Sequence, residues 1–258
     1  MHVNAAKRKM LEGKPALGIV STCGSPLVAQ ALSLVGFDFV LVDNQHGAWE
    51  LTSTMDAFHK ISLGPATPMA RVQQNDFYAI GRLLDRGALG IVVPMVNSRA
   101  EAEAAAYAMR YPPRGGRSIG AFAVDHYGAA DYCAWIDQEG FLAVQIETKH
   151  ALESVDDILS VEGVDGCWVG PSDLAATMGL DLSSAGDRQK HEAAIMQVLE
   201  ACHRAGKIPG IYGGDDPGYW MDKGFLFVTT ATDLVILGQA VRGIVGRARG
   251  LPSRELAD

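Results

Sequence analysis

Short apolar runs alternate with longer stretches of helical spacing from one end of the chain to the other. The apolar runs predict strands, and the stretches between them predict helices. The strands are expected at residues 17–20, 39–42, 67–72, 89–93, 142–146, 166–169, 208–212 and 225–229. The helices are expected at residues 26–35, 51–62, 76–86, 99–109, 154–160, 189–205, 216–223 and 234–246. Each connection is long enough for a crossover between parallel strands, so the order predicts one (β/α)8 barrel domain over residues 1–258.

A dinucleotide-binding sheet is the other fold with this alternation, and the residues after the first strand argue against it. That fold has the pattern GxGxxG there, whereas residues 21–26 read STCGSP. The longest connection runs from about residue 97 to residue 140 and contains one predicted helix followed by the Pro/Gly-rich residues 111–117. We expect this connection to form a lid over the active face of the barrel.

Composition narrows the class of partner. With 22 Lys and Arg against 30 Asp and Glu, the formal net charge is −8, so the chain lacks the basic surface that nucleic-acid binding needs. No apolar run approaches the about 18 residues of a membrane span, and residues 1–9 contain no apolar leader segment. The four cysteines are scattered without a CxxC pair, which fits a reducing compartment. These features predict a soluble cytoplasmic protein.

Two carboxylates follow apolar strands at the end of the barrel where active sites form. Glu147 and Asp173 would repel each other there unless a proton or a cation lay between them. Two carboxylates with water and a chelating substrate suit Mg²⁺, and also Mn²⁺ or Co²⁺. The alternative is that both residues are helix N-caps, since Asp173 precedes a short apolar stretch.

Three further polar groups follow strands. His46 is a candidate base because imidazole titrates near neutral pH, although a single histidine is weak evidence. Arg71 could bind a substrate carboxylate or form a structural ion pair with Asp43 or Glu147. The backbone amides at residues 170–174 could hold an anion at a helix start.

Several segments of the chain form a recognisable set by their order and spacing. They are GFD at 36–38 with DNQH at 43–46, ARV at 70–72 with ND at 75–76, LLDRG at 83–87, VPMV at 93–96, RYPP at 110–113 with Gly120, VQIET at 144–148, and VEGVDGCWVGPSDL at 161–174. In these segments the chain resembles the HpcH/HpaI family of class II, metal-dependent pyruvate aldolases. The likeness extends over roughly residues 5 to 250, with the segments in the same order and spacing.

The resemblance implies cleavage of a 4-hydroxy-2-oxo acid to pyruvate, or to a close relative such as hydroxypyruvate, and an aldehyde. It implies that Glu147 and Asp173 bind the divalent metal and that Arg71 neutralises the enolate oxygen. Gln145 would orient the site, and the amides near Ser172 and Asp173 would hold the substrate carboxylate. His46, oriented by Asp85 as a His–Asp dyad, would take the proton of the 4-hydroxyl.

The absence of a suitable lysine agrees with this metal-dependent class. A class I aldolase needs a Schiff-base lysine inside the barrel, but no predicted strand contains one. The family also suggests a homo-oligomer, a hexamer built as a trimer of dimers, in which the last helix packs onto a neighbouring subunit.

The sequence departs from the family pattern at two places. Many relatives have Gly-Glu-His where residues 44–46 read NQH, so Gln45 replaces a carboxylate that would tune the basicity of water on the metal. Relatives that act on a second substrate carboxylate have an arginine where residues 121–126 read AFAVDH. Asp125 would repel an acidic aldehyde, which predicts a neutral aldehyde, such as a hydroxylated one.

Three alternatives stay open from the sequence. A CoA-thioester lyase of the citrate lyase or malyl-CoA lyase type would share the barrel and the carboxylates, but no basic run for the CoA phosphates is visible. A phosphoenolpyruvate mutase-like enzyme would also stabilise a pyruvate enolate. A non-catalytic barrel is disfavoured, because packing alone does not require so many polar groups at strand ends.

Overall fold

The computed structural model describes residues 3–128 and 130–250, whose eight parallel strands form one closed barrel. Each strand pairs with the next along the chain, and the last pairs with the first. The strands are β1 (Ala16–Ser21), β2 (Phe39–Asp43), β3 (Thr67–Arg71), β4 (Gly90–Val93), β5 (Phe141–Ile146), β6 (Gly166–Val169), β7 (Gly210–Tyr212) and β8 (Phe227–Thr232). The fold predicted from the sequence is therefore confirmed.

Thirteen helices occur within the described residues, and the eight predicted ones are among them, with shifted ends. They are α1 (Ala5–Leu11), α2 (Pro26–Ser33), α3 (Leu51–Ile61), α4 (Phe77–Asp85), α5 (Arg99–Met109), α6 (Ala123–Tyr127), α7 (Tyr132–Glu139), α8 (Lys149–Glu153), α9 (Val155–Leu159), α10 (Pro171–Thr177), α11 (Ala185–Ala205), α12 (Pro217–Lys223) and α13 (Asp233–Arg249). Five of these helices were not predicted from the sequence, because each has at most eight residues, which is too few for a clear helical period. They are α1, α6, α7, α8 and α10. No helix of the described segments is long and apolar enough to cross a membrane.

Helix α1 packs beneath the barrel, at the end where the strands begin. Asn4 caps this helix by accepting a hydrogen bond from the Lys7 amide, and its side-chain nitrogen donates to the carbonyls of Leu89 and Glu139. Ala6 and Met10 are buried in the same cluster as the large side chains Phe39, Phe141 and Phe227 of the barrel interior. These contacts fill the lower barrel and leave the opposite end for the polar groups.

Alternation along the strands decides which side chains enter the barrel. In β2, Phe39 and Leu41 belong to the interior cluster, whereas Val40 and Val42 belong to the layer between strands and helices. Successive side chains of a strand point to opposite faces, so Asp43 continues the interior set. The same alternation places Arg71 of β3 and Gln145 of β5 inside the barrel near its C-terminal end.

The connection between β4 and β5 does not form the lid that its length suggested. It contains α5, α6 and α7, and its Arg117 forms an ion pair with Asp85, the last residue of α4. Tyr132 of α7 donates a hydrogen bond to the carbonyl of Leu84, also near the end of α4. Because α4 returns the chain to the start of β4, these contacts lie at the N-terminal end of the barrel. The prediction of a lid over the same chain's active face is wrong.

Candidate active site

Arg71 and Asp43 form a buried ion pair at the C-terminal end of two neighbouring strands. They are register partners in the β2–β3 ladder, and Arg71 Nε lies 2.8 Å from Asp43 Oδ1. A second bond joins Arg71 Nη2 to Asp43 Oδ2, and the Trp168 ring centroid lies 5.4 Å from the guanidinium carbon. Of the two roles left open by the sequence, the structural ion pair is therefore formed. It also fixes the guanidinium plane at the barrel mouth, where a substrate oxygen could approach.

Glu147 follows β5 and is only 2% exposed. Its Oε1 accepts a hydrogen bond of 2.8 Å from the Met95 amide, and its Oε2 accepts one of 2.5 Å from Gln145 Nε2. Burial raises the pKa of Glu147, the Met95 amide lowers it, and the nearby Asp173 carboxylate raises it again. The net direction is upward, so the site disfavours the charged carboxylate unless a cation is close.

Asp173 lies close to Glu147 from the first turn of α10, and Gly170 leaves room for the side chains of Glu147 and Gln145. An added Cβ at Gly170 would lie 2.9 Å from both Glu147 Oε2 and Gln145 Nε2, closer than ordinary packing allows. The N-cap of α10 is Gly170, and the N-cap of α8 is Thr148, whose hydroxyl accepts a hydrogen bond from the Ala151 amide. Neither Glu147 nor Asp173 is a helix N-cap, which removes the alternative explanation for both.

The two carboxylates fit a divalent cation. Neither forms an ion pair with Lys, Arg or His in the part of the chain that the structure describes. Within that part, no cluster of three or more His, Cys, Asp and Glu could hold a metal. A pair suffices for Mg²⁺, which commonly keeps one or two protein carboxylates and fills its other positions with water and substrate.

His46 and Asp85, predicted as a dyad, lie at opposite ends of the barrel within one chain. His46 follows β2, is exposed, and donates its backbone N–H to Asp43 Oδ1 over 3.4 Å. Asp85 ends α4 and accepts a bond of 2.8 Å from Arg117 Nη2. The structure thus brings together Arg71, Gln145, Glu147 and Asp173. Ser172 lies in the first turn of α10 and His46 lies at the rim of the barrel, whereas Asp85 is far from this group.

Comparison with known proteins identifies the family. The family model described as "HpcH/HpaI aldolase/citrate lyase" matches residues 18–239, which is most of the chain. The chain belongs to the HpcH/HpaI aldolase/citrate lyase family.

Curated relatives and solved structures agree with that assignment. The chain is 40% identical over 243 residues to a hydroxypyruvate/pyruvate aldolase of Rhizorhabdus wittichii, covering 93% of this chain and 96% of the relative. It is 35% identical over 251 residues to a 4-hydroxy-2-oxo-heptane-1,7-dioate aldolase of Shigella sonnei, covering 95% of this chain and 94% of the relative. Both relatives are aldolases, so the chain is a carbon–carbon lyase. The structure of a family member from Burkholderia cenocepacia superposes with a TM-score of 0.86 at 26% identity, covering 95% of this chain and 99% of that one.

Three contributors to the site of this aldolase were missed by sequence reasoning. Met95 acts through its backbone amide, for which no side-chain pattern exists. Trp168 is buried in the barrel interior, and its position on the same face as Gly166 and Gly170 follows from the alternation along β6. Tyr212 ends β7, is half-buried, and packs edge-on against Trp168 with a centroid distance of 6.1 Å.

Proposed function

We propose that this chain catalyses the reversible aldol cleavage of a 4-hydroxy-2-oxo acid into pyruvate or hydroxypyruvate and an aldehyde. The observation that carries the proposal is the proximity of the buried Glu147 and the exposed Asp173 beside the fixed guanidinium of Arg71. Neither carboxylate forms an ion pair with a basic side chain in the described structure. Two relatives are a hydroxypyruvate/pyruvate aldolase and a 4-hydroxy-2-oxo-heptane-1,7-dioate aldolase, which supports the same chemistry here.

Each step of the reaction can be assigned to a residue at the C-terminal end of the barrel. Glu147 and Asp173 would hold Mg²⁺, Mn²⁺ or Co²⁺, and that cation would supply the Lewis acidity that stabilises the enolate. Arg71 would neutralise the enolate oxygen, while the amides of Ser172 and Asp173 would bind the substrate carboxylate at the start of α10. Gln145 would keep Glu147 oriented through its bond to Oε2.

His46 would act as the base for the 4-hydroxyl proton. As that proton leaves, the C3–C4 bond breaks, its electrons pass into the enolate, and the aldehyde forms from C4. The exposed position of His46 at the rim lets a substrate reach its imidazole.

Asp85 can orient His46 only if it comes from another copy of the chain, because the two residues lie at opposite barrel ends. We therefore propose that the enzyme works as a homo-oligomer, a hexamer arranged as a trimer of dimers. Exposed apolar side chains support subunit contacts on α13, at Leu237 and Ile244, and near the Asp85 end, at Ile119 and Phe122. Asp125 of α6 lies near that same end and would face a neighbour's aldehyde, which favours a neutral aldehyde.

The four cysteines carry free thiols. This supports our proposal that the enzyme works in the reducing cytoplasm.

Pyruvate release tests the reaction directly. Cleavage of a panel of 4-hydroxy-2-oxo acids is coupled to lactate dehydrogenase, with EDTA and then with added Mg²⁺, Mn²⁺ or Co²⁺. We expect release that EDTA abolishes and metal restores, and the best donor identifies the aldehyde. Absence of release from every donor, despite confirmed metal binding, would favour a CoA-thioester lyase or a mutase.

Substitutions test the assigned roles. Glu147→Gln and Asp173→Asn should abolish metal-dependent cleavage, whereas His46→Ala should still bind the metal but lose most of the bond-breaking step, about a hundredfold or more. Full activity in either carboxylate variant would contradict the metal assignment.

A further inference from the structure

Asn97 connects the two loops that surround Glu147. Its Nδ2 donates a hydrogen bond of 2.8 Å to the carbonyl of Met95, in the loop after β4. Its Oδ1 accepts a hydrogen bond from the hydroxyl of Thr148, the residue directly after Glu147. One side chain therefore ties the loop that holds the donating Met95 amide to the loop that holds the accepting carboxylate.

The backbone at Met95 needs this support. Met95 has a φ of +56°, a left-handed conformation that side-chain-bearing residues rarely adopt. Such a conformation is unfavourable and persists only where surrounding contacts hold it. It turns the Met95 amide toward Glu147 Oε1, 2.8 Å away, while the Asn97 side chain holds the carbonyl of the same residue.

Asn97 is itself fixed at the start of α5. Its backbone amide donates a bond of 2.6 Å to Glu101 Oε2, in the first turn of that helix. Thr148 is fixed as well, because its hydroxyl caps α8 through the Ala151 amide over 3.0 Å. The two loops are thus joined between the starts of two helices, which limits their relative movement.

We propose that Asn97 is a positioning residue that holds the Met95 amide against Glu147 and thereby sets the affinity of the site for its divalent metal. The inference rests on the proposed function, since it takes Glu147 as a metal ligand. Asn97 would not contact the metal and would act only through its hydrogen bonds with Met95 and Thr148. Groups that orient metal ligands in this way typically change metal affinity or activity by about 10- to 100-fold when removed.

Metal affinity is the direct readout. Mn²⁺ binding to the protein is titrated by the electron paramagnetic resonance signal of free Mn²⁺, for the wild type and for Asn97→Ala. We expect the dissociation constant of Asn97→Ala to rise about tenfold. Its visible spectrum with bound Co²⁺ should also change, and cleavage should recover toward the wild-type kcat at saturating Mn²⁺.

Asn75→Ala is the matched control. Asn75 donates a bond of 2.9 Å to the carbonyl of Glu101, at the same helix start, without touching Met95 or Thr148 in the described hydrogen bonds. This variant should bind Mn²⁺ as the wild type does. Circular dichroism with EDTA shows whether each variant is folded at the titration temperature.

The outcomes separate this inference from the proposed function. If Glu147→Gln loses Mn²⁺ binding while folded Asn97→Ala binds it as the wild type does, the role of Asn97 is wrong and the metal assignment stands. If Glu147→Gln binds Mn²⁺ normally, the metal assignment itself fails. Should Asn97→Ala not fold, Thr148→Val decides, since it removes the hydroxyl that donates to Asn97 Oδ1. An unchanged dissociation constant in Thr148→Val overturns the inference.

Discussion

The Asp43–Arg71 pair shows how single residues acquire their roles in this protein. Both residues end apolar strands and both are nearly fully buried, at 1% and 8% exposure. A guanidinium in that position needs a counter-charge, and the register of β2 and β3 supplies it. The pair leaves the metal-ligand candidates, Glu147 and Asp173, without a basic partner among the described residues.

Removing the charge of Asp43 should lower the stability of the fold. Asp43→Asn leaves the Arg71 guanidinium buried without its counter-charge, so the free energy of unfolding should fall by about 3 kcal/mol, and cleavage activity should fall with it. Urea unfolding at pH 7 measures this. Glu103→Gln, which breaks the half-exposed Arg99–Glu103 pair, should change stability by less than about 0.5 kcal/mol. Equal effects of the two substitutions would argue against a special role for the buried pair.

A substitution at Gly170 tests a second single-residue role, its effect on metal affinity. The Cβ of Gly170→Ala would press on Glu147 and Gln145, so we expect Mn²⁺ affinity to fall by about tenfold or more. Gly81→Ala serves as the control, because Gly81 lies in α4 with open space around its Cβ position. That change should leave metal binding intact and be neutral or stabilising. Normal Mn²⁺ affinity in Gly170→Ala would show that the close approach is not needed.

At the scale of elements, Asp233 joins the end of β1 to the start of α13. Its carboxylate accepts hydrogen bonds from the Ser21 hydroxyl, the Thr22 hydroxyl and the Thr22 amide, at 2.7 to 2.8 Å. Burial pushes the pKa of Asp233 upward, but the bonds from Thr22 and Ser21 oppose burial, and the net direction is downward. The charged carboxylate therefore stabilises the fold.

The lowered pKa of Asp233 predicts how this stabilisation depends on pH. A carboxyl group with a lower pKa in the folded state stabilises fully above its unfolded pKa of about 3.9, and loses that effect as pH falls through the folded pKa. Asp233→Asn should thus lower the free energy of unfolding by about 2 kcal/mol at pH 7, with a smaller difference below about pH 4. Urea unfolding across this range measures it, with exposed Asp56→Asn as the control. A difference that grows toward low pH would contradict the assigned charge state.

At the scale of the whole molecule, the opposite positions of His46 and Asp85 predict complementation between chains. His46→Ala and Asp85→Ala proteins should each be nearly inactive. When they are mixed, dissociated and reassembled, about a quarter of the sites would contain both intact residues if subunits pair at random. Pyruvate release should then recover. No recovery in mixed oligomers of confirmed composition would show that Asp85 does not act across a subunit contact.

The sequence by itself determined the barrel and most of its mouth. Strand positions follow from local apolar runs, and the two-residue alternation of a strand places Asp43, Arg71 and Gln145 in the interior. Glu147 and Asp173 could be paired from the sequence because neighbouring parallel strands end at the same face. These are properties of short segments and of a regular repeat, so they need no knowledge of the rest of the fold.

Only the tertiary structure decided which groups touch. Arg71 pairs with Asp43 rather than with Glu147, and the Met95 amide points toward Glu147. Arg117, in the connection before β5, contacts Asp85 at the N-terminal end of the barrel. Asn97 and Thr148 are 51 positions apart along the chain, yet one hydrogen bond joins them. Such contacts depend on how distant segments pack in space, and local periodicity contains no information about that.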